Sequence, residues 1–235
     1  MQHPTPEPEA HAAPLADSLP REPYISVRFP VHGRTLTADH GYALHAAITT
    51  LLPSLHSAQG FAVELISGIP WREGTIALPT RGGNLYLRIP ADRDHYAAIL
   101  PLAGQRLDIA GHRITLGIPS ARPLTPATSL YARMVTIKNS HDPEPFIAAA
   151  EHKLATLGIT ATLELPRDNQ DRPRRRILTI KRARIVGFSL AAHNLSDDDS
   201  LRLQSHGIGG RRAMGCGIFN PIKRLTAATD RLTES

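Results

Sequence analysis

Residues 207–217, GIGGRRAMGCG, hold the chemistry that is easiest to name. Five of the eleven are glycine (Gly207, Gly209, Gly210, Gly215 and Gly217), with Arg211 and Arg212 between them. Glycine lets the backbone reach positive φ and approach another molecule with no Cβ in the way. Successive N–H groups in such a loop form an anion-binding concavity, and arginine adds bidentate phosphate donors. The segment therefore predicts contact with a polyanion. It is not a P-loop, which needs Gly-Lys-Ser/Thr after four spacer residues. Nor is it a dinucleotide turn, which follows the first strand of a βαβ unit. A simple hairpin needs one or two glycines, not five around an arginine pair.

A second basic cluster lies upstream. Arg167, Arg172, Arg174, Arg175, Arg176, Lys181, Arg182 and Arg184 face only two acids, Asp168 and Asp171, within residues 167–184. That local excess of six equals the formal charge of the whole chain, so the basic character is concentrated there. DNQDRPRRR predicts a proline-containing hairpin tip whose Arg172, Arg174, Arg175 and Arg176 lie along a nucleic-acid groove. The alternative is a solvated charged hairpin. Arginine outnumbers lysine, which favours bidentate phosphate or guanine contacts. Aromatic residues make up only 5% of the chain, and no strand carries an RNP-type pattern. Recognition of a folded RNA through backbone and shape is expected rather than base stacking on a sheet.

The glycine spacing carries a resemblance. Gly207-Ile208-Gly209, five residues with two arginines, then Gly215-Cys216-Gly217 resembles the C-terminal loop of the CRISPR-associated repeat-processing endoribonucleases (the "Cas six" family). The resemblance implies tandem ferredoxin-like units and a stem-loop repeat of precursor CRISPR RNA as substrate. It also implies a mature crRNA that is often retained with other subunits of an effector complex. Cleavage would use the substrate's own 2′-OH, leaving a cyclic phosphate, with no metal or other cofactor. Histidine suits both proton transfers, since its pKa lies near neutrality. No HxH, DxD or HExxH pattern suggests a metal site.

The family sets its histidine in or just after the first helix. His56, in LPSLHS, best matches that place, and His40, in DHGYAL, is the rival with a more architectural setting. His45 is expected on a solvated helix flank. Tyr42 is available as a catalytic partner. No lysine lies in the first unit, so Arg72 would have to supply charge there. His206 adjoins the glycine loop and is expected to contact RNA rather than to do chemistry. A non-catalytic RNA-binding subunit of the same complex is the main rival reading, and an unrelated structural RNA-binding protein is a third.

These residues need a scaffold to position them. Strands are expected at Tyr24–Val31, Phe61–Ile69, Asn84–Ile89 and Leu107–Ile118, with a helix after an Asp39 N-cap and another at Arg93–Leu102. Leu44, Ala47, Ile48 and Leu51 have helical spacing and Pro53 ends that helix. The pattern then recurs. Leu130–Ile137, Ala161–Leu165, Ile177–Phe188 and Gly217–Ile222 read as strands, with helices at Glu144–Leu157 and after Ser196. The expected fold is α+β, with tandem ferredoxin-like (RRM-like) βαββαβ units at residues 23–118 and 129–225. A linker at 119–128 joins them, and an N-terminal segment 1–22 and a tail 226–235 flank them. The first twenty residues hold five prolines and no signal-peptide pattern, so that segment is expected to be disordered. The single cysteine, Cys216, is expected to be a small apolar strand residue and fits a reducing cytosol. No apolar run is long enough to span a membrane.

Overall fold

The structure is a computed structural model and describes residues 23–56, 58, 60–80 and 82–222. The expectations for segments 1–22 and 226–235 lie outside the described residues. The chain order is β1 (Tyr24–Gly33), β2 (Thr35–Thr37), α1 (Gly41–Leu51), β3 (Ala62–Val63), β4 (Ile69–Pro70), β5 (Thr75–Ala77), β6 (Gly83–Pro90), α2 (Arg93–Ile99), β7 (Arg106–Ile109), β8 (His112–Leu116) and β9 (Ser120–Pro123). It continues with β10 (Ser129–Val135), α3 (Pro143–Thr156), β11 (Thr162–Glu164), β12 (Arg175–Ile180), β13 (Ala183–His193), α4 (Asp197–His206) and β14 (Phe219–Pro221). No helix among the described residues is long and apolar enough to cross a membrane.

Two ferredoxin-like units result. In the first, antiparallel strands run β3-β6-β1-β8, with α1 joining β1 to β3 and α2 joining β6 to β8. In the second, β11-β13-β10-β14 repeats that order with α3 and α4. Period-two alternation sets the two faces of each sheet. Val27, Phe29 and Val31 of β1 and Leu85, Leu87 and Ile89 of β6 enter one core with Leu44 and Ile48 of α1. Leu130 and Ala132 of β10 and Phe188, Leu190 and Ala192 of β13 enter the other with Phe146 of α3.

Several boundaries differ from the sequence reading for local reasons. His40, not Asp39, holds the N-cap position of α1. The Asp39 carboxylate instead accepts the backbone N–H of Thr179 on β12, 2.7 Å away. The expected strand Phe61–Ile69 pairs with β6 at β3 and through the Glu64 amide to the Tyr86 carbonyl, and then leaves it, the N–H of Ile66 being donated to the His40 ring. Pro101 closes α2 early into a 3₁₀ turn, Leu100–Leu102. Leu107–Ile118 is a hairpin that turns at Ala110 and Gly111, both at positive φ. Within 119–128, β9 pairs with Ile25–Arg28 of β1, the half of that long strand that β8 leaves uncovered. The predicted start of α4 is as read: the Ser196 hydroxyl accepts the N–H of Asp199, and Asp197–Asp199 occupy the positive end of the helix dipole.

Candidate nucleic-acid interface and catalytic residues

The glycine loop begins where α4 stops, at Gly207 with φ 57°. Its glycines serve internal closeness first. A Cβ on Gly207 would fall on the Gly217 carbonyl, and one on Gly209 on the Thr136 carbonyl. The Gly210 and Gly217 amides donate to Thr136 and Met134 on the β10 side, at 3.0 and 2.8 Å. Gly215 abuts Leu65 of the first unit. Gly210 differs, because a Cβ there would make only an ordinary contact, 3.9 Å from the Thr136 hydroxyl. Arg211 is exposed and adopts a left-handed conformation (φ 63°) just before the 3₁₀ turn Arg212–Met214. A left-handed residue followed by a right-handed one aims successive amides into a shared concavity.

Arg212 does not stand beside Arg211 as the sequence suggested. Its Nη2 donates to the Ser205 carbonyl at 2.6 Å, and its Nε is enclosed with no acceptor. Burial lowers its pKa to about 10; Tyr24 opposes that shift and Arg88 adds to it.

The basic cluster is also rearranged. A single bridge between Arg167 and Pro173 closes a small excursion between β11 and β12. At its tip the Asp168 carboxylate accepts the Gln170 and Arg172 amides and pairs with the Arg172 guanidinium at 3.2 Å. Arg167 pairs with Asp171 at 3.4 Å, and Arg174 donates to the Arg167 carbonyl. The expected four-arginine tip is therefore corrected: two arginines are tied locally, and Arg175 and Arg176 lie on β12 itself. The turn from β12 to β13 is made by Lys181 and Arg182.

Arg172 and Arg174–Arg176 line an open groove of about 830 Å³ against His141 and the start of α3. A second groove of about 300 Å³ carries Arg175 and Arg176 on to Arg133, Met214 and Gly215. Two motifs some forty residues apart thus meet on one surface. Arg133 was not singled out by the sequence reading. It is exposed on β10 at a register shift, between Ala132 in the core under α3 and Met134 in a separate cluster with Leu178 and Cys216, and its pKa is lowered by desolvation and then by Arg176.

The histidines sort by burial. His40 is fully buried; its Nδ1 donates to the Thr37 carbonyl at 2.8 Å and its Nε2 accepts from Ile66 at 3.0 Å. Both ring nitrogens are used in holding the turn into α1. His56 is exposed at the end of the 3₁₀ turn Pro53–His56. His45 is buried rather than solvated, since the 3₁₀ turn folds back against α1 and sets the two rings 5.8 Å apart. The His45 Nδ1 is enclosed without a partner, and burial, then His56, lowers its pKa. Tyr42 is half-buried in the first turn of α1. His206, half-buried at the end of α4, meets Tyr24 edge-on at 5.4 Å; burial, then Arg212 and Arg202, lowers its pKa. Arg72 sits on the exposed β4–β5 turn, its amide and carbonyl bonded to Thr75. Among the described residues no three His, Cys, Asp or Glu side chains converge as metal ligands.

Arg88 of β6 is another residue that sequence reasoning missed. It is 2% exposed, and its Nη1 donates to the Gln204 and Phe219 carbonyls at 2.8 and 2.7 Å. Its Nη2 reaches Glu64 at 3.1 Å and Asn220 at 2.7 Å. One side chain of the first unit thereby fastens α4 and β14 of the second, on both sides of the glycine loop. Burial raises the Glu64 pKa, and Arg88 opposes that rise.

Comparison with known proteins follows the same lines. The family model described as Cas6 Crispr matches residues 25–224. The chain is 40% identical over 201 residues to the CRISPR-associated endonuclease Cas6 of Myxococcus xanthus (strain DK1622), covering 86% of this chain and 83% of that protein. Its fold is similar to that of a solved CRISPR-associated Cas6 protein (TM-score 0.58, 14% identity, 86% of this chain and 100% of the other). It is similar too to a Cas6-related protein from Pyrococcus furiosus (TM-score 0.60, 13% identity, 86% and 99%). The glycine loop, the tandem fold and these matches along nearly the whole described chain make the protein a member of the Cas6 family of CRISPR-associated endonucleases.

Proposed function

We propose that this protein cuts precursor CRISPR RNA at its repeat stem-loops and that the cut is made by the substrate's own 2′-OH. The 2′-oxygen attacks the adjacent phosphorus as a base takes its proton, and the P–O5′ bond breaks as an acid protonates the leaving oxygen. The products are a 2′,3′-cyclic phosphate and a 5′-OH. The observation that carries this reading is the meeting of the glycine loop with the arginine-bearing β12 on one groove, in a chain of this family. Arg211 and the amides around it hold a phosphate, and Arg175, Arg176 and Arg133 follow the backbone of the stem. His56 moves the proton, and its exposure supports that role. The mature crRNA stays bound and passes with the protein into an effector complex.

Incubation of the protein with repeat RNA in EDTA tests the reading. Cleavage that leaves a cyclic phosphate is expected. Tight binding without cleavage would instead identify a non-catalytic RNA-binding subunit, and the absence of any preference for repeat RNA would reject both.

A further inference from the structure

Each ferredoxin-like sheet has a second face, turned away from its helices. On the first sheet that face holds Ser26 and Arg28 of β1, Tyr86 and Arg88 of β6 and Arg122 of β9. The register places Arg28 directly opposite Tyr86, and places Arg122 and Arg88 on either side of Ser26. Paired side chains on one face of antiparallel strands are neighbours. At the Arg88 end the second unit covers this face. At the Tyr86 end it opens: Arg28 and Arg122 are exposed and Tyr86 is half-exposed. The Arg122 guanidinium reaches over the small Ser26 to lie 5.5 Å from the centre of the Tyr86 ring.

A flat ring flanked by two arginines, on an inner strand of an open sheet face, is the chemistry that stacks an unpaired base and neutralises its phosphate. We infer that Tyr86, with Arg28 and Arg122, takes a base from a single-stranded nucleotide segment beside the stem. The base replaces the Arg122 guanidinium over the ring, and the freed arginine turns to the phosphate. The path onward is continuous. The Glu64 amide donates to the Tyr86 carbonyl at 2.9 Å, and Glu64 lines a cleft of about 410 Å³ with Tyr131, Arg133 and Asn220. Tyr131 stands on the corresponding face of the second sheet, its hydroxyl donating to Ser189 at 3.1 Å. A single strand crossing Tyr86 therefore enters the groove that leads to the glycine loop and β12. The inference rests on the RNA-binding reading above and extends it from the paired stem to its unpaired flank.

The test uses the full chain and two RNAs, a repeat stem-loop with its single-stranded flank and the same stem-loop trimmed of it. Tyr86→Leu is expected to weaken binding of the flanked RNA by about tenfold and to leave binding of the trimmed RNA unchanged, while Tyr86→Phe, which keeps the ring, binds both as wild type does. Arg122→Gln, an exposed change with little effect on folding, is expected to weaken the flanked RNA selectively as well. A 2-aminopurine in the flank is expected to be quenched by the wild type and not by Tyr86→Leu. Equal losses on the two RNAs, or no loss in either Tyr86→Leu or Arg122→Gln, would overturn the inference. Failure of the wild type to bind either RNA would instead overturn the reading on which it rests.

Discussion

At the scale of single residues, what separates the candidate histidines is what their ring nitrogens already do. His56 is exposed, with its ring 5.8 Å from that of His45. His56→Ala is expected to slow cleavage by roughly 10² or more with repeat binding nearly intact, as loss of a general acid or base requires; single-turnover cleavage beside a binding titration measures both, and wild-type cleavage would reject the role. His40 is committed to structure. Its pKa lies below the ordinary 6.5, chiefly through burial. The unfolded chain therefore takes up this proton first as the pH drops. The stability it provides is whole above about pH 6.5 and is lost as pH falls toward the folded pKa. His45 and His206 are shifted in the same direction by burial. Urea titrations are expected to show stability falling between pH 7 and pH 5. His40→Ala should cost about 1–3 kcal/mol at pH 8, for the buried hydrogen bonds it removes, and should make that slope shallower. An unchanged slope would show that His40 does not titrate with folding.

At the scale of elements, the loop after α4 divides into glycines that the fold needs and one that it does not. Gly209 has φ 81° and its missing Cβ leaves room for the Thr136 carbonyl. Gly209→Ala is expected to cost at least about 2 kcal/mol, from left-handed strain and backbone displacement together. Gly210 has room for a Cβ, with only the Thr136 hydroxyl in ordinary contact, and no positive φ. Gly210→Ala is therefore expected to melt within about 2 °C of wild type, yet to bind repeat RNA less tightly, because the added methyl holds a phosphate backbone away from the exposed loop. Thermal melts paired with binding isotherms decide this. A Gly210→Ala protein that binds normally would place the RNA elsewhere on the loop. The same element-level logic moves the emphasis in the basic segment from its tip, where Asp168 ties up Arg172, to Arg175 and Arg176 on β12.

At the scale of the whole molecule, one buried guanidinium joins the two units, beside the Asp39–Thr179 hydrogen bond and the Gly215–Leu65 contact. Arg88 satisfies two carbonyls, a carboxylate and an amide oxygen from both units. Arg88→Ala is expected to destabilise the protein by about 3–5 kcal/mol, since it leaves Glu64 and the carbonyls without their donor. Lysine cannot reproduce the planar fork, so Arg88→Lys should not restore the loss. Calorimetry is expected to split one transition into two as the units uncouple. A single transition at the wild-type temperature would show that other contacts couple them.

Much of this protein was legible in its sequence. Apolar spacing at periods of two and 3.6 marked both βαββαβ units, because such spacing follows from each element burying one face of itself. Ser196 with three aspartates marked α4, because capping is chemistry between near neighbours. The glycine spacing of 207–217 identified the family, because a backbone that packs this closely admits almost no other residue. What the sequence alone could not decide were contacts between residues far apart along it. The burial of His45 depends on a turn folding back over α1, and the inward course of Arg212 on the Ser205 carbonyl it finds there. The pairing of Tyr86 with Arg122 depends on β9 joining β1 from within an expected linker, and the Arg88 clasp on a second unit more than a hundred residues away. Periodicity states which face of an element is apolar; only the packing of one unit on another determines what covers its polar face.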